Sequence, residues 1–291
     1  MLKKIIVLIL SSLVLFACST STEKNDKQSG ELLIVYTDWA ESVAITYMAQ
    51  VLIERELGYN VILKLTDVEQ VFKEISEGKA DAFLDVWVPS THKQYLDRYE
   101  GEYEDLGSNY KLARTGLVVP EYMEVNSIED LKKHFKGAIT GIDSSAGIMT
   151  NANKAILSYE LENDLLVLSD AEMTKELEQA ILRRENIVVT GWEPHWLFHR
   201  YELKYLDDPL GIFMKEEQIN TIARKGFSED NPDVAEFFKR MILSEKQINS
   251  LLFEMKLKTD PLEGVKEWIE KNEFTVNQWT KGLGEEREKI M

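Results

Sequence analysis

The chain has 291 residues, of which 44% are hydrophobic and 10% aromatic, with 34 basic against 51 acidic side chains and a single Cys. A chain of this length buries a large core and predicts two domains, and its hydrophobic content excludes a mainly disordered protein. The net charge of -17 argues against nucleic acid as a partner, and one Cys makes neither an internal disulfide nor a thiolate metal site.

The N-terminus carries the features of an export signal. Lys3 and Lys4 precede an apolar stretch, residues 5–17, which is shorter than a membrane-spanning helix needs and is typical of a secretory signal peptide. The run Leu15-Phe16-Ala17-Cys18 resembles the lipobox of bacterial lipoproteins, in which the Cys becomes the lipidated N-terminus. We therefore predict a signal peptide over residues 1–17 and a lipidated Cys18.

Residues 18–30 are polar and lack apolar periodicity, which predicts a flexible tether. Removal of residues 1–17 leaves 32 basic against 51 acidic side chains, so the mature body should stand off an anionic membrane surface. We expect a protein on the extracytoplasmic face of the cell membrane, attached to it through the lipid alone.

From residue 31 onward, short apolar runs alternate with helical periodicities, which predicts an α/β architecture with largely parallel sheets. The first set of predicted elements is a strand at 31–36, a helix to about 57, a strand at 61–65, a second helix, a strand at 82–87 and a strand at 112–119. The second helix begins with a capping box of Asp67 and Gln70 and ends at Gly78. Pro120 ends the strand at 112–119.

A second set of elements follows. It comprises a short helix that Ser127 and Asp130 open, a strand at 138–142, a helix at 147–161, a strand at 165–168, a helix at 171–184, a strand at 187–190 and a strand at 219–224. The remainder is helical, with an N-cap and a first-turn proline predicted at Asn231-Pro232 and again at Asp260-Pro261.

Common enzyme signatures are missing from the sequence: it has no phosphate loop, no dinucleotide-binding glycine motif after a strand and no nucleophile elbow. His195 and His199 are spaced i, i+4, as a zinc pair on one helix face would be. Without a clear third ligand we predict neither a metal nor a cofactor, and we interpret His199 as an ordinary helix residue.

Three of the six Trp residues fall where strands end. Trp39 follows the first strand, Trp87 ends the strand at 82–87, and Trp192 follows the strand at 187–190. In open α/β sheets, ligands lie outside the carboxyl ends of the strands. Any one of these indoles can simply cover the edge of the core, but the three together favour a ligand site; core packing is predicted for Trp196, Trp268 and Trp279.

Converging indoles suit a quaternary ammonium group, which has no hydrogen to donate but is attracted by the negative face of an aromatic ring. A second recognition element is predicted in the segment 141–148, where a strand runs into a glycine-bearing turn and then a helix. Free backbone N–H groups at that helix start would hold a carboxylate, and His92 is a further candidate donor.

Several runs of this sequence together resemble the glycine betaine binding proteins of osmoprotectant ABC importers. They are Asp38-Trp-Ala-Glu-Ser-Val-Ala44, Phe83-Leu-Asp-Val-Trp-Val-Pro-Ser-Thr-His92, Thr115-Gly-Leu-Val-Val-Pro120, Gly141-Ile-Asp-Ser-Ser-Ala-Gly-Ile-Met149 and Val189-Thr-Gly-Trp-Glu-Pro-His-Trp196. The resemblance covers nearly the whole mature chain.

The resemblance implies a two-lobed periplasmic-binding-protein fold of type II with the ligand in the cleft between the lobes. Lobe 1 would comprise residues 31–119 and 209–291, and lobe 2 residues 120–208. The family pattern implies a cage of Trp39, Trp87 and Trp192 around the trimethylammonium, with the ligand carboxylate at His92 and at the N–H groups of Gly147 and Ile148. It also implies an ABC permease and its ATPase as partners.

Other functions remain open at this stage. Choline, carnitine or proline betaine is the alternative ligand within the same class. An enzyme acting on a choline-like compound would use one of the carboxylates Glu41, Asp85, Asp143 and Glu193, and an adhesive or receptor-presenting lipoprotein would have a dispensable cleft.

Overall fold

The computed structural model describes residues 30–214 and 216–284, which form nine β-strands and twelve α-helices. The predicted signal peptide, Cys18 and all of the tether except Gly30 lie outside the described residues. Within the described ranges, no helix combines the length and the apolar character that crossing a membrane requires.

The first five elements follow the predicted order, and the sixth, a short helix, was not predicted. They are β1 (Glu31–Tyr36), α1 (Ala40–Leu57), β2 (Asn60–Leu65), α2 (Val68–Ser76), β3 (Ala82–Val88) and α3 (Lys93–Arg98). The Asp67 side chain accepts a hydrogen bond from the N–H of Gln70, as an N-cap does. The predicted reciprocal bond is wrong, because the Gln70 side-chain amide donates instead to Glu74 at 2.8 Å.

Strand β4 (Tyr103–Pro120) is much longer than the predicted strand at 112–119. Its first part is rich in polar residues, so no apolar run marks it. Residues 103–113 nevertheless pair with β9 (Glu217–Arg224), and residues 114–120 pair with β7 (Val188–Glu193) and β8 (Leu203–Tyr205). Pairing with these neighbours decides its length, since backbone hydrogen bonds do not depend on the side-chain pattern.

The middle of the chain contains the second α/β set. After a 3-10 turn at Ile128–Asp130 come α4 (Leu131–His134), β5 (Ile139–Gly141), α5 (Gly147–Ser158), β6 (Leu165–Val167), α6 (Asp170–Arg183), β7, α7 (Leu197–Arg200) and β8. The capping box of Ser127 and Asp130 is confirmed. Strand β7 reaches through Trp192 to Glu193, three residues beyond the prediction, because β4 pairs with it there.

The C-terminal helices are α8 (Phe227–Asp230), α9 (Pro232–Arg240), α10 (Glu245–Lys256), α11 (Pro261–Lys271) and α12 (Glu273–Thr280). Proline begins both α9 and α11, as predicted, and Asp260 accepts from the N–H of Leu262. Asn231 makes no capping bond with its side chain, so that part of the prediction is wrong. Trp268 and Trp279 are buried and stacked 6.5 Å apart, which confirms core packing for both.

The strands lie in the order β2-β1-β3-β9-β4-β7-β5-β6, with β8 also on β4. The neighbours β1–β2, β1–β3, β5–β6 and β5–β7 are parallel. Every pair that includes β4 or β9 is antiparallel. The prediction of largely parallel sheets is thus right for the outer strands and wrong for the centre, where β4 and β9 run against their neighbours.

The change of partner along β4 divides the molecule into two α/β halves. Half 1 contains β1 to β3, β9, residues 103–113 of β4, and the helices α1 to α3 and α8 to α12. Half 2 contains residues 114–120 of β4, β5 to β8, and the helices α4 to α7. The prediction of a two-lobed α/β fold is confirmed, while the lobe boundaries at 119/120 and 208/209 stay a prediction.

Candidate ligand-binding site

The six residues predicted to contact a ligand all line one cavity between the halves. The cavity is lined by Trp39, Glu41, Trp87, Thr91, His92, Thr115, Ile142, Ala146, Gly147, Ile148 and Trp192. Tertiary structure thus brings together side chains that are up to 153 positions apart, from Trp39 to Trp192. Their role as ligand contacts stays a prediction.

Parallel pairing explains why these residues meet. Since β1 and β3 are parallel, Trp39, which follows β1, and Trp87, the penultimate residue of β3, lie at the same edge of the sheet. Since β5 and β7 are parallel, the start of α5 and Trp192 share an edge in half 2. The two edges face each other across the cavity.

Each cage indole donates its N–H to a carboxylate. The Nε1 of Trp39 donates to Asp143 at 3.1 Å, that of Trp87 to Asp85 at 2.9 Å, and that of Trp192 to Glu41 at 2.7 Å. These bonds satisfy the polar edge of every indole. What the rings offer to the cavity is therefore carbon surface and π electrons.

The carboxylates next to the cage are held in an unusual environment. Glu41 is buried, and the loss of hydration together with the nearby Asp85 charge raises its pKa well above the ordinary glutamate value. Burial likewise raises the pKa of Asp85. The predicted cage thus has two carboxyl groups beside it that would gain from a nearby positive charge when ionised.

His92 presents a hydrogen-bond donor to the cavity. Its Nδ1 accepts from the backbone N–H of Trp87 at 3.1 Å, so the ring proton lies on Nε2. That Nε2 is buried and has no partner among the described residues. Burial lowers the pKa of His92 to about 3, which keeps the ring neutral.

The start of α5 supplies backbone donors. Among the described residues no side chain caps this helix, whose N-cap is Ala146, so its first N–H groups have no side-chain partner there. Gly147 lies against half 1 so closely that a Cβ there would be 2.0 Å from the carbonyl oxygen of Thr91. Only glycine allows this approach of the two backbones.

Glu217 of β9 holds the turn that carries His92, and sequence reasoning missed it. Its Oε1 accepts from the N–H groups of Ser90 and Thr91 at 3.0 and 2.8 Å, and its Oε2 accepts from the Thr91 hydroxyl at 2.5 Å. No motif marks Glu217, because its partners lie more than a hundred residues away. Thr91 and Thr115, which also line the cavity, stand within the runs that resemble the family but were not singled out, because nothing in the sequence distinguishes these hydroxyls from others.

Besides a 3.5 Å bond from the Thr115 hydroxyl to Glu217 beside the connecting strand β4, three hydrogen bonds among the described residues cross from one half to the other at the cavity. Two are the bonds of Trp39 to Asp143 and of Trp192 to Glu41. The third runs from the hydroxyl of Tyr95 to the carbonyl of Ser145 at 2.8 Å. With the three cage indoles each at most 5% exposed, the halves are in a closed arrangement.

The remaining candidates are placed elsewhere. His195 packs edge-on against Trp192, and its Nε2 lies 3.3 Å from Asp170. His199 and Glu193 line a separate cavity at the surface, with Arg114. Among residues 30–214 and 216–284, no group of three His, Cys, Asp or Glu side chains is arranged to hold a metal ion.

Comparison with known proteins identifies the family. The model of the substrate-binding domain of ABC-type glycine betaine transport systems matches residues 30–271. The glycine betaine/carnitine transport binding protein GbuC of Listeria monocytogenes serotype 1/2a is 37% identical over 177 residues, 60% of this chain. The match spans 58% of that protein, less than two thirds of its length.

Two solved structures have the same fold. Lactococcal OpuAC, in its closed-liganded conformation complexed with glycine betaine, matches with a TM-score of 0.82 and 35% identity, covering 87% of this chain and all of that one. The glycine/betaine/L-proline-binding protein ProX from Borrelia burgdorferi matches with a TM-score of 0.82 and 32% identity, covering 86% and 96% of the two chains.

The matched segment includes all of half 2, half 1 except α12, and all the residues that line the cavity. The family is one of transporter binding proteins, so the enzyme alternative is set aside. The predicted resemblance is confirmed: the chain belongs to the family of substrate-binding domains of ABC-type glycine betaine transport systems.

Proposed function

We propose that the protein captures glycine betaine between its two halves and delivers it to an ABC permease with its ATPase for osmoprotectant uptake. The observation that carries the proposal is the combination in one cavity of three indoles, the unpartnered Nε2–H of His92 and the start of α5. This set matches the two ends of glycine betaine, a trimethylammonium and a carboxylate.

Trp39, Trp87 and Trp192 form the proposed ammonium cage. A desolvated cation against an indole gains ~1 to 2 kcal/mol, so three contribute about 3 to 6 kcal/mol. Micromolar affinity corresponds to roughly 8 kcal/mol. The cage alone therefore falls short, and a second set of contacts is required.

The carboxylate contacts supply the remainder. Hydrogen bonds to a charged group contribute ~1.5 to 3 kcal/mol each, so one or two close the difference. The proposed donors are His92 Nε2–H and the backbone N–H groups of Gly147 and Ile148. The dipole of the twelve-residue helix α5 favours a negative charge at the same place.

Closure of the halves is the proposed mechanism of capture. Trp39, Trp87 and His92 belong to half 1, whereas Trp192, Gly147 and Ile148 belong to half 2. A ligand that contacts both sets binds the closed state more tightly than the open state and shifts the population toward it. The closed form would be the one that the permease recognises.

We further propose that the protein is exported and anchored through a lipid on Cys18, with its body on the extracytoplasmic face of the cell membrane. The support is in the sequence: a short apolar segment, a lipobox-like run ending at Cys18, and a polar tether. Mass spectrometry of the membrane-extracted protein tests this, since a chain that begins at Cys18 without a lipid would contradict it.

Choline, carnitine and proline betaine are the competing ligands. Carnitine has the support of the relative named a glycine betaine/carnitine transport binding protein. Choline lacks a carboxylate and would make no use of His92 or of the start of α5. Dependence of binding on those donors separates the two ligand types.

The test is a titration of the purified protein with glycine betaine, followed by intrinsic Trp fluorescence, with choline, carnitine, proline betaine and proline in parallel. We expect a saturable change at micromolar glycine betaine and little change with choline. If calorimetry also detects no binding of any quaternary ammonium compound, the proposal is wrong.

A further inference from the structure

The three indole–carboxylate bonds beside the cavity differ in one respect. Trp87 and Asp85 are two residues apart on β3 and belong to half 1, so their bond does not depend on closure. The other two bonds join different halves. We propose that Glu41 and Asp143 are positioning residues that hold Trp192 and Trp39 of the opposite half in cage geometry only when the halves close.

Glu41 is placed for this role by helix α1. It lies in the first turn, two residues after Trp39, and is 1% exposed. Its Oε2 accepts from Trp192 at 2.7 Å, across the cavity that it also lines. A buried acceptor that faces the indole N–H fixes the rotation of that ring, since any other ring position leaves the Nε1–H unpaired.

Asp143 makes the reciprocal arrangement from half 2. It follows β5 and precedes α5, and its Oδ2 accepts from Trp39 at 3.1 Å. The Ser145 hydroxyl donates to its Oδ1 at 2.6 Å and holds the carboxylate in place. The segment from Trp39 to Glu41 therefore donates one indole hydrogen bond to half 2, from Trp39, and accepts another from it, at Glu41.

This arrangement links assembly of the cage to closure. A cation interacts with the face of an indole, so an indole that is free to rotate gives only part of that interaction. The Trp87 indole is already oriented in the open state, while the Trp39 and Trp192 indoles become oriented when the halves meet. The inference rests on the proposed quaternary ammonium site and adds how the indoles of Trp39 and Trp192 are oriented there.

Double-mutant cycles in the full chain test the inference, with glycine betaine as the probe. Affinity is measured by calorimetry and the dissociation rate by stopped-flow Trp fluorescence. The first cycle combines Glu41→Ala with Trp192→Phe, which keeps an aromatic ring but has no N–H. We expect Glu41→Ala to weaken binding about ten-fold, mainly through faster dissociation, and to cost less than two-fold in the Trp192→Phe background.

The same cycle applies to Asp143→Ala and Trp39→Phe. Glu41→Gln is the conservative variant, because its amide oxygen still accepts from Trp192, and it should stay within three-fold of the wild type. Tyr95→Phe is the matched control: it removes a hydrogen bond between the halves without touching a cage indole. Its effect should add to that of Trp192→Phe, without coupling.

Two results would overturn the inference. One is an equal loss from Glu41→Ala in both backgrounds, which would mean that Glu41 does not act through Trp192. The other is a loss from Glu41→Gln as large as from Glu41→Ala, which would assign the effect to charge. Thermal unfolding of the unliganded variants identifies any that fail to fold; if Glu41→Ala is one of them, the Asp143→Ala and Trp39→Phe cycle carries the test. If the wild type binds no quaternary ammonium compound, the proposed function fails instead.

Discussion

Gly147→Ala should abolish closure while leaving each half folded. An added Cβ would lie 2.0 Å from the backbone oxygen of Thr91 and 2.7 Å from its carbonyl carbon. Non-bonded atoms of this kind separate to more than 3.0 Å, so the halves would have to move apart by at least about 1 Å. Neither contact is relieved by a side-chain rotation, because both atoms belong to the backbone.

The cost follows from the three hydrogen bonds between the halves. Their lengths of 2.7, 2.8 and 3.1 Å would stretch to roughly 3.7 to 4.1 Å, beyond hydrogen-bond range. At ~0.5 to 1.5 kcal/mol each, the closed state loses about 3 kcal/mol. Since every 1.4 kcal/mol is ten-fold, affinity for glycine betaine should fall by roughly a hundred-fold or more.

Unlike the affinity, the thermal stability of the unliganded Gly147→Ala variant should not fall. Gly147 is the first residue of α5 and has no positive φ, so alanine there suits the helix and restricts the unfolded chain. Calorimetric titration and thermal unfolding of the unliganded protein measure the two effects separately. We expect a melting temperature equal to or slightly above that of the wild type.

Gly141→Ala is the matched control. Its added Cβ would meet the Met149 side chain at 2.3 Å and Leu165 at 3.3 Å, all within half 2. Overpacking of this kind costs ~1 to 3 kcal/mol of stability, yet the approach of the halves is untouched. If Gly147→Ala binds glycine betaine within three-fold of the wild type, the closed arrangement is not the one that holds the ligand.

Further predictions concern ligand selectivity, the two classes of Trp, and pH. His92→Phe should weaken glycine betaine binding about ten-fold and leave choline binding unchanged. It should also lower the free energy of unfolding by ~1 to 3 kcal/mol, because the backbone N–H of Trp87 loses its acceptor. Parallel titrations that show equal losses for both ligands would contradict a carboxylate role for His92. Trp192→Ala should reduce affinity at least ten-fold, whereas Trp268→Ala, which opens the core beside Trp279, should cost ~3 to 5 kcal/mol of stability and little affinity; denaturant unfolding and calorimetry together separate the two effects. The pKa values of Glu41 and Asp85 are raised by folding, so above the ordinary carboxyl range the folded protein keeps protons that the unfolded chain has lost. The contribution of these two groups to the free energy of unfolding is therefore full below that range and is lost as pH rises through the raised pKa values. The free energy of unfolding should therefore fall less as pH rises above the ordinary carboxyl range in the Glu41→Gln, Asp85→Asn double variant than in the wild type, and parallel curves would refute this assignment.

Local patterns in the sequence were sufficient for most elements of the fold. The bounds of β1, the capping of α2 by Asp67 and the prolines that begin α9 and α11 depend on neighbouring residues alone, and the structure confirms them. The sequence also predicted residues that prove to line one cavity, because Trp39, Trp87, Trp192, His92 and the Gly147 turn stand within recognisable runs at the ends of elements.

The long-range contacts could not be predicted in this way. Residues 103–111 form a strand because β9 pairs with them, and the roles of Glu41, Asp143 and Glu217 depend on partners more than a hundred residues away. A carboxylate buried against an indole looks, in sequence, like any acidic residue near a strand end. Sequence alone therefore determined most elements and the residue types that line the candidate site, since both follow from local patterns and spacing. Only the tertiary structure decided which carboxylate accepts from which indole, because a hydrogen bond between the halves exists only where the fold brings donor and acceptor together.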